Sequence, residues 1–171
     1  MAPIEGASVC QENVFDRVFM DQAETLRNFC YYKCGNLDEA EDYVQEAFVK
    51  LWMNCAKVPI NKARGFLFKV AQNLFFKKVE HQKVVLKFIR RQGKQEEHHT
   101  PEFLHEEKEF QQRLEQAISS LSVKQREVFL LSRMDGKSYK EIADMLDISV
   151  KAVEKRMHNA LVSLRKLSPQ I

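Results

Sequence analysis

The sequence predicts an all-α protein made of two small helical domains joined by a linker, the C-terminal domain carrying a helix-turn-helix. Apolar residues recur at i, i+3 and i+4 through most of the chain. There are only five glycines and four prolines, and few β-branched alternating runs that would indicate strands. Ser138–Leu167 divides into two amphipathic segments around a tight corner. A chain of 171 residues is long enough for two small domains.

The N-terminal region predicts two helices. Residues 1–12 are expected to form a frayed tail, and helical spacing runs from Val14 to about Lys33. Gly35 ends that helix and Asn36 is the expected N-cap of the next, Leu37–Asn54. No apolar run is long enough to cross a membrane and the N-terminus lacks a signal-peptide pattern, so we expect a cytoplasmic protein without membrane insertion.

The residue pattern of the predicted helix Leu37–Asn54 indicates a protein-binding face. One side is an apolar stripe, and the other is acidic with no basic partner at i+4 until Lys50. A solvated acidic face is the simpler interpretation, but such a surface also suits a basic or polar protein partner. Its residues are Asp38, Glu39, Glu41, Asp42, Gln45 and Glu46.

A third helix is predicted from Lys62 to about Lys83 or Phe88, after a break at Ala56–Asn61 that contains Pro59. Cations and amides that can hold a nucleic-acid backbone cover it, including Lys62, Arg64, Lys69, Asn73 and Lys77. Aromatic rings on which bases can stack are interleaved with them, at Phe66, Phe68, Phe75 and Phe76. For any single ring a place in the core is the favoured interpretation, but the block as a whole favours DNA contact.

A linker and two further helices are predicted next. Lys87–His105 contains Gly93, Pro101 and clustered charge, and helical spacing resumes near Glu106 and continues to Leu121. Ser122 is the expected cap of Val123–Met134, with Gln125 completing a capping box. The expected core contacts of that helix are Val128, Phe129, Leu131 and Met134. The predicted divisions are 12–86, a linker at 87–107, and 108–168.

The last two helices form the predicted helix-turn-helix. Ser138 with Glu141 forms a capping box, Asp147-Ile148 is the corner, and Ser149 caps the second helix. In this motif the second helix enters the major groove of DNA. At about 100° per residue, one side of that helix is the buried stripe Val153, Met157, Ala160, Leu161 and Leu164. The predicted DNA-binding residues are Ser149, Lys151, Ala152, Lys155, Arg156, His158 and Asn159.

Charge alternates along the chain in four blocks. The net charge is −5 over residues 12–52, +10 over 57–94, −5 over 95–116 and +4 over 117–171. Two basic blocks separated by an acidic one indicate two nucleic-acid contacts.

The cysteines and histidines predict no cofactor or metal. Cys10, Cys30, Cys34 and Cys55 follow no recognisable disulfide or zinc spacing, and one helical turn between Cys30 and Cys34 favours reduced thiols. A metalloenzyme built on the histidines and carboxylates of residues 95–109 is an alternative, but those histidines lack ligand spacing on a firm scaffold. They are His98, His99 and His105.

Three segments resemble bacterial RNA polymerase sigma factors of the extracytoplasmic-function (ECF) group. Asp38–Trp52 (DEAEDYVQEAFVKLW) resembles the polymerase-binding helix, Ala63–Asn73 (ARGFLFKVAQN) the helix that recognises and opens the −10 element, and Leu121–Leu167 the −35-binding domain. The chain departs from the family pattern at Phe66 (usually Trp), Lys77 (often Asp), Ala152 (commonly Thr) and Asn159 (commonly Arg). These departures leave the role intact and change the expectation of which promoter is read.

The resemblance implies a non-enzymatic initiation factor that recruits core RNA polymerase, recognises the −35 and −10 elements and melts the duplex. It implies that Asp42, Gln45 and Glu46 face the β′ clamp helices, with Trp52 closing that segment, and that Arg64 and Asn73 meet the displaced strand. Contact with the β flap and inhibition by an anti-sigma factor, possibly membrane-anchored, are further implications. Leu121–Leu167 also resembles the DNA-binding domain of response regulators, so a transcription factor acting at operators is the alternative; residues 1–120 show no alternating βα receiver.

Overall fold

The computed structural model describes residues 8–78 and 101–167, and both ranges are helical. Three helices form the first range: α1 (Glu12–Cys34), α2 (Leu37–Met53) and α3 (Ile60–Lys78). Four form the second: α4 (Pro101–Ser120), α5 (Val123–Arg133), α6 (Tyr139–Leu146) and α7 (Val150–Leu167). The predicted all-α class is confirmed. No helix in the described ranges combines the length and the apolar character that a membrane span requires.

Helices α1, α2 and α3 contact one another and bury a shared apolar core. Gly35 ends α1 in the left-handed conformation (φ 72°), and its N–H donates to the Tyr31 carbonyl at 2.8 Å. The Asn36 side chain then accepts the Glu39 N–H at 3.0 Å and starts α2, as predicted. The core residues include Leu26, Phe29, Ala40, Phe48, Leu51, Leu67 and Phe68.

Helices α4–α7 form the second bundle, and its caps agree with the sequence prediction. Both capping boxes are present, Ser122 with Gln125 before α5 and Ser138 with Glu141 before α6. The predicted buried face of α6 is confirmed at Ile142, Ala143, Met145 and Leu146. On α7, Val153, Met157, Ala160 and Leu164 are buried and Leu161 is half-buried.

Two helices begin earlier than predicted, α3 just after a proline and α4 at one. The Pro59 carbonyl accepts the Lys62 N–H at 2.8 Å, so α3 begins at Ile60 and not at Lys62. Pro101 is the first residue of α4, so residues 101–107, predicted as linker, are helical. Proline is favoured at a helix start because its φ angle is already helical and it lacks an N–H that would need a partner there. Residues 79–100, with the rest of the predicted linker and the end of the third helix, lie outside the described residues.

The N-terminal segment was predicted to be frayed, and this was wrong from Ser8 onward. Val9 is completely buried against the first bundle, and a disulfide joins Cys10 to Cys55 just after α2. The disulfide was missed because its two cysteines lie 45 residues apart and follow no local motif. Cys30 and Cys34 are free thiols, as expected. Burial raises the pKa of Cys30 to about 12.

One apolar side chain of α5 lies elsewhere than the periodicity predicted. Met134, predicted to contribute to the core, is 57 % exposed. The core position near the end of α5 is occupied by Leu130 instead, which is fully buried. Met134 is the C-cap residue of α5, so it lies where the chain leaves the helix and its periodicity ends.

Candidate polymerase and nucleic-acid interfaces

The acidic face of α2 is exposed, as its position opposite the apolar stripe requires. Glu46 pairs with Lys50 one turn later, at 2.7 Å, and this ion pair is half in solvent. Within the described residues, Asp38, Glu41 and Asp42 take part in no ion pair, so their charge is available to a partner. The residues predicted to bind polymerase that are exposed here are Asp38, Glu41, Asp42, Gln45, Glu46 and Trp52.

Apolar side chains border the acidic face, and of these only Trp52 was predicted from the sequence to belong to this interface. Trp52 is 46 % exposed and packs edge-on against Phe15, with 5.1 Å between ring centroids. Val49 and Met53 are also exposed, at 56 % and 77 %. Between α1 and α2, a groove of about 410 Å³ has Phe19 on one side and Gln45 on the other. The face thus combines negative charge with exposed aromatic and methionine side chains, residue types that are enriched at protein interfaces.

The α3 helix presents the predicted basic face. Lys62, Lys69, Asn73 and Lys77 are exposed, and Arg64 is half-buried with its Nε atom making no hydrogen bond to a described residue. The four phenylalanines of the predicted DNA-binding block differ in their exposure. Phe68 and Phe75 belong to the core, Phe66 is half-buried, and Phe76 is 53 % exposed. Stacking of bases can therefore use at most Phe66 and Phe76 in this conformation.

The helix-turn-helix corner is held by a left-handed residue. Asp147 has φ 54°, at the position where a glycine is often found in such motifs. Asn and Asp are the non-glycine residues that tolerate this conformation most readily. The Ser149 hydroxyl accepts the Ala152 N–H at 3.2 Å and caps α7, as predicted. The Ser138 hydroxyl and N–H hydrogen-bond the Glu141 carboxylate and lower its pKa.

The predicted DNA-facing side of α7 is largely accessible. Ser149, Lys151, Lys155, His158 and Asn159 are exposed, and Ala152 is half-buried. Glu154, on the same helix, is also exposed.

Arg156 has a different environment from the other predicted DNA contacts on α7. Its Nη1 atom donates to Glu127 Oε1 of α5 at 2.9 Å, and its side chain is only 23 % exposed. In this conformation Arg156 is engaged within the protein and is not presented to DNA.

The basic face of α3 lies against the helix-turn-helix corner. Lys69 Nζ lies 3.5 Å from Asp147 Oδ2, and both side chains are mostly exposed. Around this contact lies a cleft of about 820 Å³, lined on the α3 side by Lys62 and Arg64 and on the other side by Asp144 and Ser149. The two surfaces predicted to bind separate promoter elements are therefore adjacent.

The N-terminal and C-terminal parts of the chain each match a family model built from known proteins. Residues 19–95 match the family model "Sigma-70 region 2" and residues 111–164 match "Sigma-70, region 4". The chain is 30 % identical over 155 residues to the ECF RNA polymerase sigma factor SigW of Bacillus subtilis, covering 84 % of this chain and 82 % of that protein. The chain belongs to the ECF sigma factors. It therefore initiates transcription by directing RNA polymerase to promoter DNA.

Two further similarities support the assignment. The ferric citrate uptake sigma factor FecI of Escherichia coli is 26 % identical over 150 residues, covering 86 % of each chain. The solved structure of the sigma factor RpoE with the anti-sigma factor NepR, from Bartonella quintana, matches the fold with a TM-score of 0.64 at 20 % identity, over 91 % of this sigma factor and 97 % of that chain. None of these comparisons supports the response-regulator alternative. Of the histidines in the metalloenzyme alternative, His98 and His99 lie outside the described residues, as does the side chain of His105.

Proposed function

We propose that the two bundles divide the work of this sigma factor. The bundle α1–α3 binds core polymerase and the −10 element, and the bundle α4–α7 binds the −35 element. The single observation that supports this division best is the separation of charge within the first bundle, where α2 is acidic and α3 is basic. An acidic helix cannot approach phosphate closely, whereas a basic one attracts it.

The polymerase-binding surface we propose is the exposed face of α2. Asp38, Glu41 and Asp42 supply charge without partners among the described residues, and Gln45 and Glu46 extend the same face. Trp52, supported from behind by Phe15 at 5.1 Å, offers an aromatic anchor of the kind that dominates binding energy at interfaces. On the enzyme, this face would meet the β′ clamp helices, while the second bundle would meet the β flap.

The DNA-binding surfaces we propose lie on α3 and on α7. On α3, Lys62, Arg64, Lys69, Asn73 and Lys77 hold the strand displaced at the −10 element. On α7, Lys and Asn side chains reach base edges in the major groove of the −35 element, because these groups pair with guanine and adenine edges respectively. The α7 residues are Ser149, Lys151, Ala152, Lys155, His158 and Asn159.

This role implies further properties, which we include in the proposal. The protein catalyses no reaction itself, works in the cytoplasm where polymerase and promoters are, and is restrained by an anti-sigma factor of the kind, frequently membrane-anchored, that restrains ECF sigma factors. An inhibitor of this kind would be expected to cover the same exposed faces that polymerase and DNA use.

The polymerase contact is tested by reversing charge on α2. The double variant Asp42→Arg with Glu46→Arg should bind core polymerase at least tenfold more weakly, because both side chains are exposed on the proposed face. The matched control is Asp16→Arg with Asp21→Arg, which makes the same charge change at exposed positions of α1. Unchanged core binding by the α2 variant, or equal loss in the control, would show that the interface lies elsewhere.

A further inference from the structure

Helix α7 carries a single acidic residue on an otherwise basic exposed side. The helix contains five lysines and arginines and one acidic residue, Glu154, which is exposed. Lys151 lies three residues before Glu154 and His158 lies four residues after it, so the three side chains are neighbours on the helix surface. Lys151 and His158 belong to the proposed −35 contacts, whereas Glu154 has no role yet.

The rotation of α7 about its axis is fixed by contacts on its other side. Val153, which precedes Glu154, is fully buried. Arg156 donates to Glu127 of α5 at 2.9 Å, and Glu127 is itself buried and paired with Lys33 of α1. Glu154 is therefore held on the exposed side, at the fifth position of the helix. In a helix-turn-helix, the N-terminal residues of the second helix are the ones that contact base edges.

The Glu154 carboxylate is not neutralised within the protein. Among the residues that the structure describes, it takes part in no hydrogen bond or ion pair, although Lys151 and His158 are each about one turn away. Its charge is therefore available to a ligand. Duplex DNA carries about one negative charge per 1.7 Å of its axis, so a carboxylate facing it weakens binding unless it meets a hydrogen-bond donor there.

Few groups in the major groove can donate to a carboxylate. An ionised carboxylate only accepts hydrogen bonds. Cytosine presents a donor, N4, whereas guanine presents the acceptors O6 and N7 and thymine presents the acceptor O4. Adenine presents a donor, N6, beside an acceptor, N7, so it suits a carboxylate less well than cytosine does. The Glu154 side chain should therefore favour cytosine and disfavour guanine and thymine.

Lys151 is placed to contact the other base of the same pair. In a C·G pair the guanine offers O6 and N7 to a lysine, while the cytosine offers N4 to a carboxylate. Side chains three residues apart on a helix have Cβ atoms about 5–6 Å apart, so Lys151 and Glu154 can reach neighbouring groups. Opposite charges one turn apart thus match the two bases of one C·G pair.

We propose that Glu154 is a specificity-determining residue that accepts a hydrogen bond from the N4 amino group of a cytosine in the −35 element. Lys151 contacts the paired guanine. The carboxylate also rejects promoters that carry guanine or thymine in place of the cytosine, so it selects by repulsion as well as by contact. This inference rests on the proposed function, since Glu154 reads a base only if α7 enters the −35 element.

The experiment compares base preferences, position by position, in the holoenzyme. The full chain is assembled with core polymerase on a promoter mapped from the transcription starts of that holoenzyme, and each −35 base pair is replaced in turn by the other three. Competition binding at one salt concentration gives relative affinities for wild type, Glu154→Ala and Glu154→Gln. The matched control is Asp144→Asn, which removes the same charge from an exposed position of α6. Circular dichroism of the free variants establishes that the fold is retained.

The two substitutions at Glu154 should change the preference at one position only. One wrong base pair usually costs a factor of about 5 to 140 in affinity, so Glu154→Ala should reduce the preference for cytosine over guanine or thymine at least about fivefold there. Glu154→Gln should raise the affinity for adenine relative to cytosine at the same position, because glutamine pairs with adenine N6 and N7. Asp144→Asn should keep the wild-type preference at every position.

Three results would overturn the proposal. Glu154→Ala could leave every preference unchanged, or could alter a position where wild type does not prefer cytosine. It could also raise the affinity for every duplex equally, which would mean that Glu154 only repels phosphate. If the wild-type holoenzyme bound all −35 variants equally, the proposed function of α7 would fail as well. A discriminating wild type with an equally discriminating Glu154→Ala would refute this inference alone.

Discussion

The disulfide between Cys10 and Cys55 should dominate the redox dependence of stability. It closes a loop of 45 residues, and the chain-entropy relation assigns such a loop about 4 kcal/mol of stabilisation through restriction of the unfolded chain. A change of 1 kcal/mol moves the melting temperature of a protein of 150–250 residues by about 2–4 °C. Full reduction should therefore lower the melting temperature by about 8–16 °C.

Two assays check this. Thiol titration of the denatured, unreduced protein should detect the two free thiols of Cys30 and Cys34, and titration after reduction should detect all four cysteines. Thermal unfolding of the oxidised protein should be compared with that of the reduced protein and of Cys10→Ser, which should melt alike. Cys34→Ser is the matched control, because it removes a thiol that takes no part in the bond. Four thiols before reduction, or equal melting temperatures with and without reductant, would refute the reasoning.

Three further predictions concern two substitutions and the reactivity of one cysteine. Ser122→Ala should lower the free energy of unfolding by about 1 kcal/mol in urea titrations, because the α5 cap is lost, whereas Ser132→Ala inside the same helix should not destabilise it. Lys155→Ala should weaken −35 binding by about 1–3 kcal/mol in gel-shift titrations if it contacts a base; equal loss on unrelated duplexes would indicate a phosphate contact. The raised pKa of Cys30, about 12, keeps it a thiol, so mass spectrometry should find it unalkylated in the native protein from pH 7 to 10.

The features that were predictable from sequence are those made by residues close together in the chain. Asn36, Ser122, Ser138 and Ser149 cap their helices as expected, because a cap depends on a hydroxyl or amide two or three residues before the N–H that it accepts. The buried face of α6 followed from helical periodicity for the same reason. Local rules determined these elements, so a single sequence was enough.

The features that were missed depend on residues far apart in the chain. Lys33 and Glu127 are 94 positions apart, and charged side chains of these types are almost never buried unless they are paired. Periodicity therefore assigns both to the surface, and only the approach of α5 to α1 reverses that assignment. The Cys10–Cys55 bond and the burial of Val9 escaped prediction in the same way.

The charge pattern shows that an inference about contacts can leave the conformation open. Blocks of +10 over residues 57–94 and +4 over 117–171 indicate two DNA-binding surfaces, which agrees with α3 and α7. Charge along the chain carries no information about the distance between those surfaces, and like-charged blocks would be expected to separate. The structure brings α3 to the helix-turn-helix at a corner that carries the acidic residues Asp144 and Asp147, so opposite charges meet there, with Lys69 3.5 Å from Asp147. Because that contact is exposed, it contributes little, whereas removing one partner of the buried pair Lys33–Glu127 leaves an uncompensated charge and should weaken the packing of the two bundles more than a substitution at Lys69.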